Sequence, residues 1–218
     1  MIELRNVCKS YRTKAGRVPV FDNLSLVIPE GKNVAILGNN GVGKSTLLRL
    51  LGGIDIPDSG RIYTNKSISW PVGLSGGFQG SMTGRENVKF VARVYGAEGQ
   101  RMSEVVREVE EFAEIGKYFD QPVKQYSSGM RARLAFGLSL AFDFDYYLID
   151  EAMSVGDAHF REKATAAFQE RIDTANVLLI SHGMGQVRKI CNHVLVLKKG
   201  AIEQYEDVEA GIEAYQRG

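Results

Sequence analysis

The chain has 218 residues, 44% of them hydrophobic, and 27 Lys+Arg against 26 Asp+Glu give a formal net charge of +1. That length supports one large domain, or one with a small subdomain, and buries a core with ease, while the balanced charge gives no electrostatic argument for nucleic acid. No apolar run approaches the roughly 20 residues that cross a bilayer, Met1-Ile2-Glu3-Leu4 does not read as a signal peptide, and Cys8 and Cys191 lie far apart without a CxxC pairing, as reduced structural cysteines of a cytosolic chain do.

Ile2, Leu4 and Val7 alternate with polar residues, as do Leu24, Leu26 and Ile28. The spacing predicts strands of an antiparallel subdomain joined by a polar turn at 13–16. The apolar segment Asn33-Val34-Ala35-Ile36-Leu37 then runs into Gly38-Asn39-Asn40-Gly41-Val42-Gly43-Lys44-Ser45-Thr46, and Ser45-Thr46-Leu47-Leu48-Arg49-Leu50-Leu51 reads as helical. Strand, glycine-rich turn and helix in that order make a phosphate-binding loop. Gly38, Gly41 and Gly43 permit positive φ and close approach to an anion, so that successive N–H groups form a concavity at a helix N-terminus. Lys44 reaches the β- and γ-phosphates of a nucleoside triphosphate, and the Ser45 hydroxyl is placed to ligate Mg²⁺.

Gly52-Gly53 ends that helix, and Pro57-Asp58-Ser59-Gly60 turns into a strand at Arg61-Ile62-Tyr63. From Ser69 to Gly80 glycine is frequent and no period holds, which predicts a loop. Thr83-Gly84-Arg85-Glu86 has capping-box spacing ahead of Val88, Val91, Ala92 and Tyr95 on one helical face, and Val105, Val109 and Phe112 predict a second helix over about 103–115. These elements predict a helical subdomain at approximately 84–142, inserted in an α/β core within a single domain, 1–218.

The core resumes after Tyr126-Ser127-Ser128-Gly129-Met130, with Leu134, Leu138 and Ala141 on one side of a helix and Tyr146-Tyr147-Leu148-Ile149 as a buried parallel strand. A helix over roughly 159–172, strands at 177–180 and 194–197, and a helical tail from Asp207 complete an α/β fold.

Asp150 and Glu151 follow a strand at the edge where open α/β sheets place ligands. Asp150 would hold Mg²⁺, directly or through water, and Glu151 would polarise the water that attacks the γ-phosphorus. His182, one serine beyond a strand, could hydrogen-bond a γ-phosphate oxygen. The Ser127, Ser128 and Gly129 turn offers a hydroxyl and backbone N–H groups at a helix start, a second anion site in a chain that already has one, and so points to another subunit's nucleotide.

Taken together, these elements resemble the ATP-binding subunit of an ABC transporter over essentially the whole chain. In family terms, 38–46 matches the Walker A loop, 147–151 the Walker B strand with its glutamate base, 126–130 the signature, Ser154-Val155-Gly156-Asp157 the D-loop and His182 the switch histidine. Tyr11 resembles the aromatic residue that stacks on adenine. The resemblance implies a P-loop NTPase core of the ABC type with an antiparallel β subdomain and a helical subdomain, and ATP and Mg²⁺ as its ligands. It departs from the family at Tyr126, Ser128 and Met130 of the signature and at Leu74, which stands where a Mg²⁺- or water-binding glutamine is usual; Gln79 lies five residues later and could take that role if the loop follows a different path.

The runs 68–87 and 126–131 resemble bacterial capsular polysaccharide exporters. That resemblance implies a nucleotide-sandwich homodimer at the cytoplasmic face of the inner membrane, driving two copies of a polytopic permease subunit that moves a lipid-linked glycan outward. Periplasmic and outer-membrane export components would be engaged indirectly and no nucleic acid at all. Related exporters of O-antigen or teichoic acid, a non-transport ABC ATPase acting on nucleic acid, and a regulatory module that binds ATP without turnover are the alternatives. The chain's end at Gly218 leaves no room for the extra carbohydrate-binding domain of many O-antigen exporters.

Overall fold

A computed structural model describes residues 1–14, 16–73, 77–150, 157–199 and 201–217. It divides into two units, one of Met1–Pro71, Phe144–Glu151 and Thr174–Gly218, the other of Val72–Asp143 and Ala152–Asp173.

The first unit carries two sheets. Strand β1 (Ile2–Thr13) pairs antiparallel with β2 (Gly16–Ile28) and with β4 (Ser59–Thr64), in the order β2-β1-β4. The alternation turns Ile2, Leu4 and Val7 inward, each at most 1% exposed. The hairpin runs further than the alternation marks because register shifts re-aim it between Leu4 and Ser10, with Asn6 and Asn23 taking the left-handed backbone that asparagine tolerates.

In the second sheet the order is β5-β6-β7-β3-β8-β9, built from β3 (Val34–Gly38), β5 (Ile68–Pro71), β6 (Tyr146–Asp150), β7 (Asn176–Ile180), β8 (His193–Lys198) and β9 (Ala201–Tyr205). All pairs are parallel except β8 with β9. Both sheets and helix α1 (Lys44–Leu51) contribute to one apolar core that includes Leu4, Phe21, Ile36, Leu48, Leu148 and Leu195.

Three elements of the second sheet and its connections depart from the sequence reading. The start of the glycine-rich run is an edge strand, β5, rather than loop: Ile68 pairs with Tyr146 and Pro71 with Leu148, and the Ser69 hydroxyl accepts from Leu148 N at 3.0 Å. An edge position tolerates the missing N–H of Pro71. Helix α6 (Met184–Ile190) and strand β9 were not anticipated, the first for its brevity, the second because only its antiparallel return along β8 gives it partners. The expected terminal helix is α7 (Val208–Arg217), where a Cβ on Gly211 would lie 2.6 Å from that of Val194, so only glycine permits the approach.

The second unit is helical: α2 (Gly84–Val94), α3 (Gly99–Ala113), α4 (Ser128–Leu140) and α5 (Ala158–Ile172). Thr83 and Glu86 close the capping box reciprocally. Helix α3 starts and ends earlier than its apolar spacing implied, stopping where Glu114 adopts φ 51°. Helix α4 is buried at every position from Leu134 to Leu140, not along one side. Phe112 stacks on Phe136 at 5.9 Å between ring centres and meets Phe160 edge-on at 5.5 Å. Among the described residues no helix is long and apolar enough to cross a membrane.

Candidate functional site

Strand β3 is buried along its whole length, and it ends in the loop that its apolar residues hold in place. Gly38 has φ 155°, and a Cβ there would sit 2.6 Å from Leu197 O; Gly41 has φ 78°. Gly43, at φ 111°, is the N-cap of α1 and lies so close to β2 that a Cβ would meet Val20 Cγ1 at 2.8 Å. No side chain caps this helix start, which leaves its first N–H groups directed at whatever occupies the loop.

Lys44 is 9% exposed, and its ammonium donates to Gly38 O at 2.6 Å and Asn39 O at 3.1 Å. A buried cation held by the loop's own carbonyls is poised to exchange them for an anion, which offers a stronger, charge-assisted partner. Ser45 is exposed on the first turn of α1 and Thr46 is half-buried beside it.

On the same sheet, Asp150 closes β6 in register with Ile180 of β7, itself the neighbour of β3. Asp150 is half-buried, and His182 is exposed beyond β7, after Ser181 accepts from Gly183 N at 3.0 Å. The carboxyl end of one parallel sheet thus carries the loop, Asp150 and His182. Glu151, Ser154, Val155 and Gly156 lie outside the described residues, as does Leu74.

Tyr11 is paired with Val18 across the β1–β2 hairpin. Its hydroxyl donates to Asp55 Oδ2 at 2.8 Å, and Lys9 Nζ lies 5.1 Å from its ring centre while donating to Asp55 Oδ1 at 2.6 Å. The Lys9 hydrogen bond is the main reason the Asp55 carboxyl titrates below its ordinary range, against the opposing effect of burial, with the Tyr11 hydroxyl acting in the same direction as Lys9.

Beside the loop opens a cleft of about 550 Å³, lined by Val18–Val20 of β2, residues 38–42, Leu197 to Lys199 at the end of β8, and Ala214 and Tyr215 of α7. Its size suits a small-molecule ligand. Lys199 and Tyr215 were missed in the sequence because nothing in their spacing marks them; the pairing of β8 with β3 brings Lys199 here, and the return of the chain past β9 brings Tyr215.

The remaining candidates belong to the second unit. Ser127 is the N-cap of α4, its oxygen accepting from Met130 N at 3.1 Å, which leaves the hydroxyl proton to donate outward. Ser128 is exposed and Gly129 half-buried. Gln79 is exposed; its side-chain amide donates to Ser81 Oγ at 3.3 Å and its backbone N–H to Asn87 Oδ1 at 2.8 Å. Asp157 caps α5 by accepting from Phe160 N at 2.9 Å, the chief cause of its lowered pKa, and takes a hydrogen bond from Arg133.

Known proteins resemble this chain in sequence and in fold. The family described as ABC transporter matches residues 21–154. The polysialic acid transport ATP-binding protein KpsT of Escherichia coli is 57% identical over 217 residues, covering 99% of this chain and 96% of that protein. The capsule polysaccharide export ATP-binding protein CtrD of Neisseria meningitidis serogroup B is 43% identical over 215 residues, covering 99% and 98%. Among solved structures, the dimeric post-hydrolysis state of the ATP-binding cassette MJ0796 bound to ADP and Pi is similar in fold, with a TM-score of 0.74 at 24% identity over 94% of this chain and 98% of that one.

Proposed function

Because this chain belongs to the ABC transporter family of ATP-binding proteins, we propose that it is the ATPase subunit that powers export of a capsular polysaccharide. The observation that carries this reading is the loop 38–46, folded with its lysine held on its own carbonyls at the end of a buried strand, in a chain so similar to capsule-export ATPases over its full length.

The triphosphate of ATP lies along the loop's N–H groups, and Lys44 leaves Gly38 O and Asn39 O to bind it; Gly38, Asn39, Asn40, Gly41, Val42, Gly43, Ser45 and Thr46 complete the cradle. The nucleoside stacks on Tyr11, the cross-strand partner of Val18 at the edge of the cleft. Ser45 and Asp150 are the hard oxygen donors Mg²⁺ prefers, and the ion would neutralise phosphate charge as the bond to the γ-phosphorus breaks. Gln79 is an additional candidate ligand. Glu151 takes the proton of the attacking water and His182 donates to a γ-phosphate oxygen.

Ser127, Ser128 and Gly129 cover the nucleotide of a second copy, so that two chains close on ATP and reopen after hydrolysis. Residues 84–142 form the helical subdomain of the one nucleotide-binding domain, and together with the segment 72–87 they face a polytopic permease subunit, two copies of each making the transporter. The chain sits through that subunit at the cytoplasmic face of the inner membrane.

Purification from membranes tests the reading. A polytopic subunit should accompany the chain, ATP should be hydrolysed by the complex, and Lys44→Ala should lower turnover at least ~10²-fold and remove surface glycan from cells. Recovery with DNA or ribosomes, or turnover indifferent to Lys44, would reject it.

A further inference from the structure

Behind the Ser127 turn, the side chain of Tyr126 is 2% exposed, and its hydroxyl donates to Tyr118 O at 2.6 Å. Gly84, the first residue of α2, packs directly against that hydroxyl. A Cβ on Gly84 would lie 2.3 Å from that hydroxyl and 3.1 Å from Phe119 O. Gly84 is not among the residues with positive φ, so it is glycine for proximity to Tyr126 and not for backbone freedom.

Backbone rungs flank this contact. Val123 N donates to Met82 O and Lys124 N to Gly80 O, both at 2.9 Å, and Thr83 forms an antiparallel bridge with Pro122. Asn87, 3% exposed, holds the loop onto α2: its Oδ1 accepts from Gln79 N at 2.8 Å, and its Nδ2 donates to Gln79 O at 3.1 Å and Thr83 O at 2.8 Å. At the other end, Arg131 donates through Nη2 at 2.9 Å and Nε at 3.2 Å to Tyr126 O, the carbonyl immediately before Ser127. The anchoring side chains Asn87 and Tyr126 are buried and their bonds form one connected lattice, so 79–87 and 122–127 move as one piece.

We infer that Tyr126, locked against Gly84, is a positioning residue that ties the aim of the Ser127 hydroxyl to the placement of the 79–87 segment. The inference rests on the proposed function, in which Ser127 meets the other copy's nucleotide and 79–87 faces the permease subunit. Tyr126 itself acts through Ser127. Seating or releasing the segment on the permease then advances or withdraws the donor that the second copy's nucleotide needs, with no residue of the phosphate loop involved.

The test uses Gly84→Ala, Tyr126→Phe and the double variant, each in the full chain assembled with its permease, with ATP turnover measured per folded molecule and the folded fraction followed by thermal melting. Gly84→Ala should lower kcat ~10-fold with KM for ATP changed less than ~2-fold. Adding Tyr126→Phe removes the atom the new methyl meets, and should recover at least ~3-fold of that loss, a non-additivity that independent sites would not show. Equal kcat in all variants, or losses that follow only the folded fraction, overturn the inference and leave the proposed function standing. Undiminished turnover in Ser127→Arg overturns both.

Discussion

The two units hold their functional turns by different means. In the first, the phosphate loop hangs from β3, whose Val34, Ala35, Ile36 and Leu37 are at most 2% exposed, between the largely buried β7 and β8. Each fully buried side chain of the size of valine or larger contributes about 1.5–3 kcal/mol, without regard to direction. In the second, the Ser127 turn is flanked by hydrogen bonds from Tyr126 and Arg131, and the start of α2 behind it is held by Asn87 and by the ion pairs of Arg85 with Glu110 and Asp120. These are directional and individually worth about 1 kcal/mol. A loop that must present the same cradle at every turnover is best built on the first kind of support. A turn that, on the proposed function, is presented and withdrawn is best built on the second, which carries it as one piece with 79–87.

The largest effect that would break this contrast lies in the loop. Lys44→Ala should lower ATP turnover ~10²–10³-fold, because a positioned cation on the transferring phosphate is lost, while the melting temperature stays within a few degrees because the apolar frame is untouched. Phosphate release and calorimetry check this; a collapse of the fold would show the frame to depend on its polar contents.

A smaller effect sharpens the picture of the first unit by probing a buried polar pair within it. Lys9 is 7% exposed and bound to Asp55, so Lys9→Met, which leaves that carboxylate without its cation, should cost about 2–4 kcal/mol at neutral pH in a urea melt. Because folding lowers the pKa of Asp55, the pair's contribution is complete above the unfolded carboxylate value of about 4 and disappears as pH falls through the folded one. The gap between wild type and variant should therefore close in acid; a gap independent of pH would mean that lost packing, not charge, is responsible.

The smallest effect concerns the second unit. Thr83→Ala removes one half of the α2 capping box and should destabilise by about 1 kcal/mol. If the Gln79–Asn87 lattice is the cooperative piece described, the same variant should speed amide exchange at Val123 and Lys124, whose N–H groups bond back to that loop.

The same contrast governs how much could be read from the sequence. The loop, the capping box and the buried strand before Asp150 were legible because their chemistry is contiguous: residues that act together are neighbours in the chain. Strand β5 was hidden by Trp70-Pro71 and the glycines after it, since an edge strand needs only one partner and shows little periodicity. The signature-like turn could be found, but not what fixes it, because the hydroxyl of Tyr126 meets Gly84 across 42 positions of the chain. Lys199 and Tyr215 beside the loop were invisible for the same reason.

The central claim is that two copies of this chain bury ATP together, each lending its Ser127 turn to the other's triphosphate. Its most direct measurement is the mass in solution of Glu151→Gln, in which ATP should bind without being hydrolysed, by sedimentation with and without ATP. The account predicts twice the 24.1 kDa of one chain when ATP is present, and a return to one chain when Ser127→Arg is added. A single-chain mass at saturating ATP, with or without the permease, would contradict it.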